Sequence, residues 1–455
     1  MSEKYKFIEL DQNNYAYLEP NTGFWVPCNY TAYYILKSNI EGLTARVITE
    51  QLAKKFELQE DMLSEDVNNC IDSFTKKQKK HNEDLKTFQA KENREGVLTI
   101  HITDKCNLNC PYCYKDANHL KVENEITPKE IEQVIRKIYE YGFREVIISG
   151  GEPTVRKDFG EILDILRGID NISYFLITNG TTNLEDEILQ KMCDVFTTIQ
   201  ISLDSYEEEK NALTRGAGSL AKVEKFAKRL SNEGFKNFYF ACTPYTHDMK
   251  YPSTIEDLPI MLRYANNMGG SGLYVNKLKP DGRQDKDDYS KFNEPEFWKN
   301  VDRLYDEYSA IYTRTYDKEN PSGFNFSCGV ASDMIDLLNS YKYKKSCGIG
   351  YNQLTIDSDG NVYLCSALIY SELKLGNIRK ETLDNIILES RKKYNDITVD
   401  HIEACKECDY RLICGGGCRA MAYYEKKDLK GCDPSCEFCK DRIKKWMLLS
   451  LANNV

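Results

Sequence analysis

The chain has 455 residues, 41% of them apolar, which is enough for about three domains with true cores and excludes a disordered chain. Sixty-one basic residues stand against 71 acidic ones, and the net charge of −10 argues against a nucleic-acid binder that works by neutralising phosphates. No apolar run of about eighteen residues offers a membrane span, and the N-terminus MSEKYKFIELDQNN has no apolar signal core. The expectation is a cytoplasmic protein with neither nucleic acid nor membrane as partner.

In chain order, residues 1–85 read as a small separate unit. Tyr15–Leu18 and Phe24–Val26 flank Asn21-Thr22-Gly23, a hairpin signal, and a short helix follows near Tyr30–Ser38. Ile48, Leu52 and Phe56, then Val67, Ile71 and Phe74, recur at helical spacing. Two strands and three helices fit a winged-helix-like module, with the lysine-rich Thr75–Lys80 as a solvated linker.

Residues 86–282 alternate strand and helix. The strand candidates are Val97–Ile102, Val146–Ser149, Tyr174–Thr178, Thr197–Ser202, Phe238–Thr243 and Leu273–Leu278. Thr127, Pro128 and Glu130 spell a capping box before a helix whose apolar face is Ile131, Val134, Ile135 and Ile138. A second apolar face is Phe159, Ile162, Leu163 and Leu166, with Gly168 as its C-cap. Six β-α units imply an α/β fold with a parallel sheet, open or curved as a partial barrel, whose chemistry sits at the carboxyl ends of the strands. Residues 283–345 are polar and read as a bridging or lid region, and residues 346–455 form a cysteine-rich third unit.

Seventeen cysteines in a long chain without a signal peptide point to metal ligation rather than to disulfides. Ten of them (Cys106, Cys110, Cys113, Cys347, Cys365, Cys405, Cys408, Cys414, Cys418 and Cys436) fall into recognisable spacings, whereas Cys28, Cys70, Cys193 and Cys242 stand alone and read as small buried hydrophobes.

The first strand leads into Cys106-Asn107-Leu108-Asn109-Cys110-Pro111-Tyr112-Cys113, a C-x3-C-x2-C loop. A cubane [4Fe–4S] cluster has four irons, so three thiolates leave one iron open to a reactant. A three-cysteine zinc site completed by His101 or His119 is the competing reading. The loop, with aromatic Tyr112 before its last cysteine, resembles that of the radical S-adenosylmethionine (SAM) superfamily. The resemblance implies a partial (β/α)6 TIM-like barrel whose open iron chelates SAM. One-electron cleavage there yields a 5′-deoxyadenosyl radical that takes a hydrogen from the substrate.

It also implies SAM contacts. The segment Ser149-Gly150-Gly151-Glu152-Pro153 would hold the methionine amino group, with the glycines allowing close approach to the ligand and Glu152 meeting the ammonium. Asn179 ends the third strand, and Ser202 and Asp204 end the fourth, Ser202 touching the SAM carboxylate or ribose. Arg215 would pair with the SAM carboxylate. Leu278, at the end of the sixth strand, would line the adenine pocket.

At the C-terminus, Cys347-x12-Gly360-x4-Cys365, then Cys405-x2-Cys408-x5-Cys414-x3-Cys418, then Cys436 resemble the SPASM domain. That resemblance implies two auxiliary [4Fe–4S] clusters, hence three clusters in all. Cluster I would use Cys347, Cys365 and Cys418, with either Cys328 or an open iron in fourth place. Cluster II would use Cys405, Cys408, Cys414 and Cys436, with Cys432 and Cys439 as alternatives to Cys436.

The N-terminal module resembles PqqD-like elements that bind a leader peptide as an added strand. The three parts in order resemble maturases of ribosomally made peptides. Cys347-Gly348-Ile349-Gly350-Tyr351 and Leu375-Gly376-Asn377-Ile378 point to the thioether-forming, subtilosin-type group. The partners implied are a precursor peptide with its leader and an external one-electron donor of flavodoxin or ferredoxin type. Ser366 stands where sulfatase-maturing relatives carry an aspartate base, which disfavours formylglycine formation. No catalytic side chain stands out; the tyrosines of 305–316 are candidates for a base or relay, against ordinary core packing. Carbon–carbon cross-linking, action on a protein such as a sulfatase, and a metal-binding peptide adaptor are the competing functions.

Overall fold

The structure is a computed structural model that describes residues 4–90, 95–118, 124–315, 327–330 and 343–452. The chain divides into two compact units: residues 1–92, 336–347 and 396–455 form the first, and residues 93–335 and 348–395 the second.

The first unit begins with an antiparallel sheet in the order β1 (Lys6–Glu9), β2 (Asn14–Leu18), β3 (Trp25–Asn29). The Asn21–Gly23 turn sets the register, opposing Leu18 to Trp25. Strand β1 was not foreseen, because four residues at a sheet edge leave little periodicity to read. Helices α1 (Tyr30–Ile40), α2 (Ala45–Phe56) and α3 (Glu60–Ala90) follow. Asn29 caps α1 by accepting from the Ala32 amide, and Thr44 caps α2 from Val47. Tyr17, Phe24, Val26, Leu36 and Phe74 make one core cluster, and Ile35, Ile48, Leu52 and Val67 another. Phe56, at the end of α2, is exposed.

Thr75–Lys80 is not a linker: it lies within α3. The reason is a buried stripe that continues past Phe74. Gln78 donates to Glu19 at 2.6 Å, and the buried His81 ring meets the Thr22 carbonyl at 3.1 Å, so this stretch packs back on the β2–β3 hairpin.

The second unit carries a ten-stranded sheet. Its strands are β4 (Gly96–Thr103), β5 (Phe143–Gly150), β6 (Ser173–Thr178), β7 (Thr198–Ser202), β8 (Phe238–Cys242), β9 (Gly272–Val275), β10 (Ser327–Val330), β11 (Gln353–Ile356), β12 (Asn361–Tyr363) and β13 (Gly376–Asn377). The spatial order is β10-β9-β8-β7-β6-β5-β4-β11-β12-β13. All pairings from β10 through β4 to β11 are parallel; β12 and β13 are antiparallel additions.

Helices α4 (Pro128–Glu140), α5 (Phe159–Arg167), α6 (Asp186–Val195), α7 (Glu208–Arg215), α8 (Ser219–Asn232) and α9 (Leu258–Asn267) connect β4 to β9, α7 and α8 lying together between β7 and β8. The apolar faces foreseen for α4 and α5 are buried, as parallel strands covered by helices require. The polar stretch after residue 281 contributes α10 (Lys286–Tyr289), α11 (Glu294–Thr315) and the seventh parallel strand, β10. Cys328 lies on β10 opposite Leu273, with seven strands between β10 and β12. The tyrosines of 305–316 fall outside the described side chains.

Helix α12 (Leu383–Tyr394) completes the second unit. In the first, residues 396–452 hold α13 (Glu403–Lys406), α14 (Arg411–Cys414), α15 (Arg419–Lys426) and α16 (Cys436–Ala452), the last packed on β2 and β3. No helix among the described residues is long and apolar enough to cross a membrane. Cys28 and Cys242 are buried and Cys70 and Cys193 half-buried, all four with free thiols.

The Thr127–Glu130 capping box forms, and Glu130 does a second job. Arg379, two residues past β13, grips it at 2.6 and 3.0 Å and also donates to the carbonyls of Asn124 and Glu125. That guanidinium, foremost, holds the Glu130 carboxyl down at about 2. A depressed carboxyl stabilises the fold above its unfolded value and loses that contribution as pH falls through its folded one. Arg379→Met should therefore cost about 1–2 kcal/mol in urea unfolding at pH 7. The gap from the parent chain should narrow as pH drops from about 4.5 towards 2; a gap that stays constant with pH would refute this account.

Candidate active site

Strand β4 ends at Thr103, and the three cysteines follow in a loop whose two ends are tied together. Cys106 N–H donates to the Asn118 carbonyl at 3.1 Å, Asn118 N–H to that of Asp104 at 3.3 Å, and Cys113 N–H to that of Cys110 at 3.2 Å. From the far side, Arg283 N–H donates to the Cys113 carbonyl, and its guanidinium to the carbonyls of Cys110 and Ala117. Gly282 adopts φ +67°, and a Cβ there would sit 2.1 Å from the Cys113 oxygen. This clamp was missed in the sequence, although Pro280-Asp281-Gly282 is a turn signal.

Gly150 and Gly151 serve the same loop. Cβ atoms added there would fall 2.2 Å from the Thr103 oxygen and 2.3 Å from the Lys105 oxygen. These glycines thus permit a close approach to the backbone that launches the loop. Glu152 is fully buried, which raises its pKa. It accepts from Thr154 N–H (3.1 Å) and hydroxyl (2.6 Å), the Thr178 hydroxyl (2.7 Å) and Asn179 N–H (2.6 Å), so four protein donors hold its carboxylate. Asn179 carries the network on to the loop, donating to Asn107 at 2.8 Å and towards the Cys106 sulfur at 3.9 Å.

Asp204 is the second hub. It lies 2.9 Å (Oδ2) and 3.0 Å (Oδ1) from the Nε and Nη2 of Arg215, the latter a hydrogen bond. It also accepts from the Thr214 hydroxyl at 2.8 Å, from Thr243 N–H at 3.0 Å and from the Tyr112 hydroxyl. Arg215 is therefore neither a surface cation nor unpaired: its partner is Asp204, and it faces the Tyr112 ring at 5.7 Å. Ser202 ends β7, half-buried. Leu278 is buried but lies three residues beyond the end of β9 rather than on it.

Burial pushes the Cys106 thiol up to about 12 and raises that of Cys110. As thiolates these groups need a positive partner, which a bound iron would supply. His101 is not free for a metal. Its Nδ1 faces the Lys115 ammonium at 3.1 Å and its Nε2 the Tyr114 hydroxyl at 3.3 Å, while burial, with Lys115 next, lowers its pKa well below the usual value. His119 lies outside the described residues. No three His, Cys, Asp or Glu side chains among the described residues converge on a single-ion position. A cubane does not ask for such convergence, since there each thiolate reaches a separate iron.

In the first unit, Cys405, Cys408, Cys414, Cys432, Cys436 and Cys439 line one cavity with Arg419 and Lys440. Burial pushes Cys436 up to about 12 and raises Cys405, whereas a hydrogen bond from Cys439 lowers Cys414. Cys418 donates its N–H to Asp433 at 2.6 Å. Cys347 ends the 336–347 segment of this unit; Cys365 follows β12 in the other.

Comparison with known proteins agrees with these features. The Radical SAM superfamily model matches residues 100–264, and the SPASM iron–sulfur cluster-binding domain model matches residues 347–409. The chain is 27% identical over 345 residues to the mycofactocin maturase MftC of Mycolicibacterium smegmatis, covering 74% of this chain and 82% of that one. It is 22% identical over 377 residues to the Fe-coproporphyrin III synthase of Methanosarcina barkeri, covering 78% and 91%. The fold matches Streptococcus suis SuiB, solved bound to precursor peptide SuiA, with TM-score 0.57 at 16% identity, over 96% of this chain and 98% of that one.

Asp204→Ala would strand a buried guanidinium and should cost about 3–5 kcal/mol, read by urea unfolding. Tyr112→Phe, which removes one hydrogen bond to a charge, should cost about 1.5–3 kcal/mol. Equal losses in the two variants would show that Arg215 does not depend on Asp204.

Proposed function

We propose that this chain, a radical SAM superfamily enzyme with a SPASM iron–sulfur domain, matures a ribosomally made precursor peptide by joining a cysteine sulfur of that peptide to a carbon. The observation that carries the reading is the order of parts: a three-stranded sheet with three helices, the cysteine loop at the end of β4, and the cysteine-lined cavity near the C-terminus. The maturase name of one relative and the precursor peptide bound to SuiB support a peptide substrate.

In this reading Cys106, Cys110 and Cys113 hold a [4Fe–4S] cluster with one open iron, and two further cubanes sit among the C-terminal cysteines. Cluster and SAM together supply the 5′-deoxyadenosyl radical that takes a hydrogen atom from the peptide. Glu152 and Asn179 hold the loop in place, and the Asp204–Arg215 pair fixes Tyr112 between two of its cysteines. Ser202, Asn179 and Leu278, at or just past strand ends, would contact SAM. The leader adds a strand to an edge of the β1–β3 sheet.

The atoms balance. The peptide would lose one hydrogen atom to 5′-deoxyadenosine and one proton from the thiol, and an auxiliary cluster, where bound, would supply the acceptor for the electron left over. A flavodoxin- or ferredoxin-type donor provides the electron that cleaves SAM.

The test uses the reconstituted, oxygen-free enzyme with a cysteine-containing peptide encoded beside its gene. Each cross-link should lower the peptide mass by two hydrogens and protect one cysteine from iodoacetamide. Cys106→Ala should abolish 5′-deoxyadenosine. A mass loss with every cysteine still alkylated would replace the thioether with a carbon–carbon bond. SAM cleavage with no change in any such peptide would remove the peptide altogether.

A further inference from the structure

The cavity in the first unit holds six thiols, two more than a cubane can use. Three come from the stretch carrying α13 and α14 (Cys405, Cys408, Cys414) and three from residues 432–439. Helix α16 turns Cys436, Cys439, Lys440 and Ile443 towards the cavity, the i, i+3, i+4, i+7 face of one helix. Cys436 and Cys439 thus reach the same space one turn apart.

Both are engaged there. Cys439 is buried, hydrogen-bonded to the Cys414 thiol, and accepts from Arg442 Nη2 at 3.3 Å. Cys436 neighbours Cys432 and Cys408. An independent feature marks the cavity as built for an anion. Arg419 is 1% exposed and has no carboxylate partner among the described residues. It is held by the carbonyls of Gly416, Leu429 and Gly431, and its Nε is left without a partner. A buried guanidinium in that state calls for negative charge beside it, and a thiolate-ligated cluster brings it.

We propose that the cluster in this cavity has two interchangeable fourth ligands, Cys436 and Cys439, with Cys405, Cys408 and Cys414 fixed. Exchange is a ligand swap without redox change: the departing thiolate takes a proton as the incoming thiol gives one up. The inference rests on reading the cavity as an auxiliary-cluster site, and the experiment separates the two.

In full-length chain whose loop cysteines 106, 110 and 113 are all alanine, Cys405→Ala should remove about four irons. Cys436→Ala and Cys439→Ala should each keep those irons, with the electron paramagnetic resonance of the reduced cluster shifted in at least one. The double variant should lose them. Loss of the irons in either single variant, or their retention in the double one, overturns interchangeability. Cys405→Ala without any iron loss removes the cluster site itself. If an alanine chain fails to fold, the volume-conserving serine variants are counted in the same way.

Discussion

One buried carboxylate organises the candidate active site. Asp204 leaves water almost entirely, and a lone charge in that position would cost several kcal/mol. It is retained because α7 ends by delivering Arg215 to it, and because Thr214, Thr243 and Tyr112 fill the remaining lone pairs. Tyr112 stands between Cys110 and Cys113, so the conformation of the cysteine loop is coupled to a salt bridge between the segment just past β7 and the end of α7. The loop is held by charge at one point rather than by a core of its own.

The second constraint is steric. Gly150, Gly151 and Gly282 each occupy a place where a Cβ would meet main-chain oxygen at little more than 2 Å. Backbone cannot yield as a flexible side chain can, so neighbouring segments are pressed onto the loop from two directions. Glu152 then locks the ends of β5 and β6 through four hydrogen bonds. Loop position is thus set by backbone contact and orientation by buried carboxylates, before any metal enters.

This division explains what could be read in the sequence. The six strands and the α4 and α5 faces were legible because each is a short-range pattern: apolar runs, a capping box, 3.6-residue spacing. The cysteine loop's place after the first strand was legible because it follows an apolar run directly. What could not be read depends on distant partners. Arg215 paired with Asp204, Arg283 clamping Cys110, and Gly151 facing Lys105 are contacts across strands that no local period encodes. Strand β10 was hidden for a related reason, since its polar surroundings mask four residues at a sheet edge. Thr75–Lys80 looked like a linker because four lysines hide the stripe formed by Phe74, Gln78 and His81. The glycines and leucine of Gly348–Tyr351 and Leu375–Ile378 show the converse. Gly350 packs on Tyr394 and Leu364, and Gly376 on Ile386, so these residues specify the β11–β13 edge whatever bond the enzyme makes.

The two groups of cysteines also differ in how they depend on metal. In the loop, the nearby cation Arg215 already has Asp204 as its partner, and main-chain hydrogen bonds close the loop ends. In the C-terminal cavity the buried Arg419 donates to carbonyls and has no carboxylate partner among the described residues, and the thiols come from stretches about twenty residues apart in sequence. Metal ligation there would join those stretches and supply the missing negative charge in the same event. If those cysteines hold a cluster as proposed, folding of residues 396–452 should be coupled to its assembly more tightly than folding of the parallel-stranded unit.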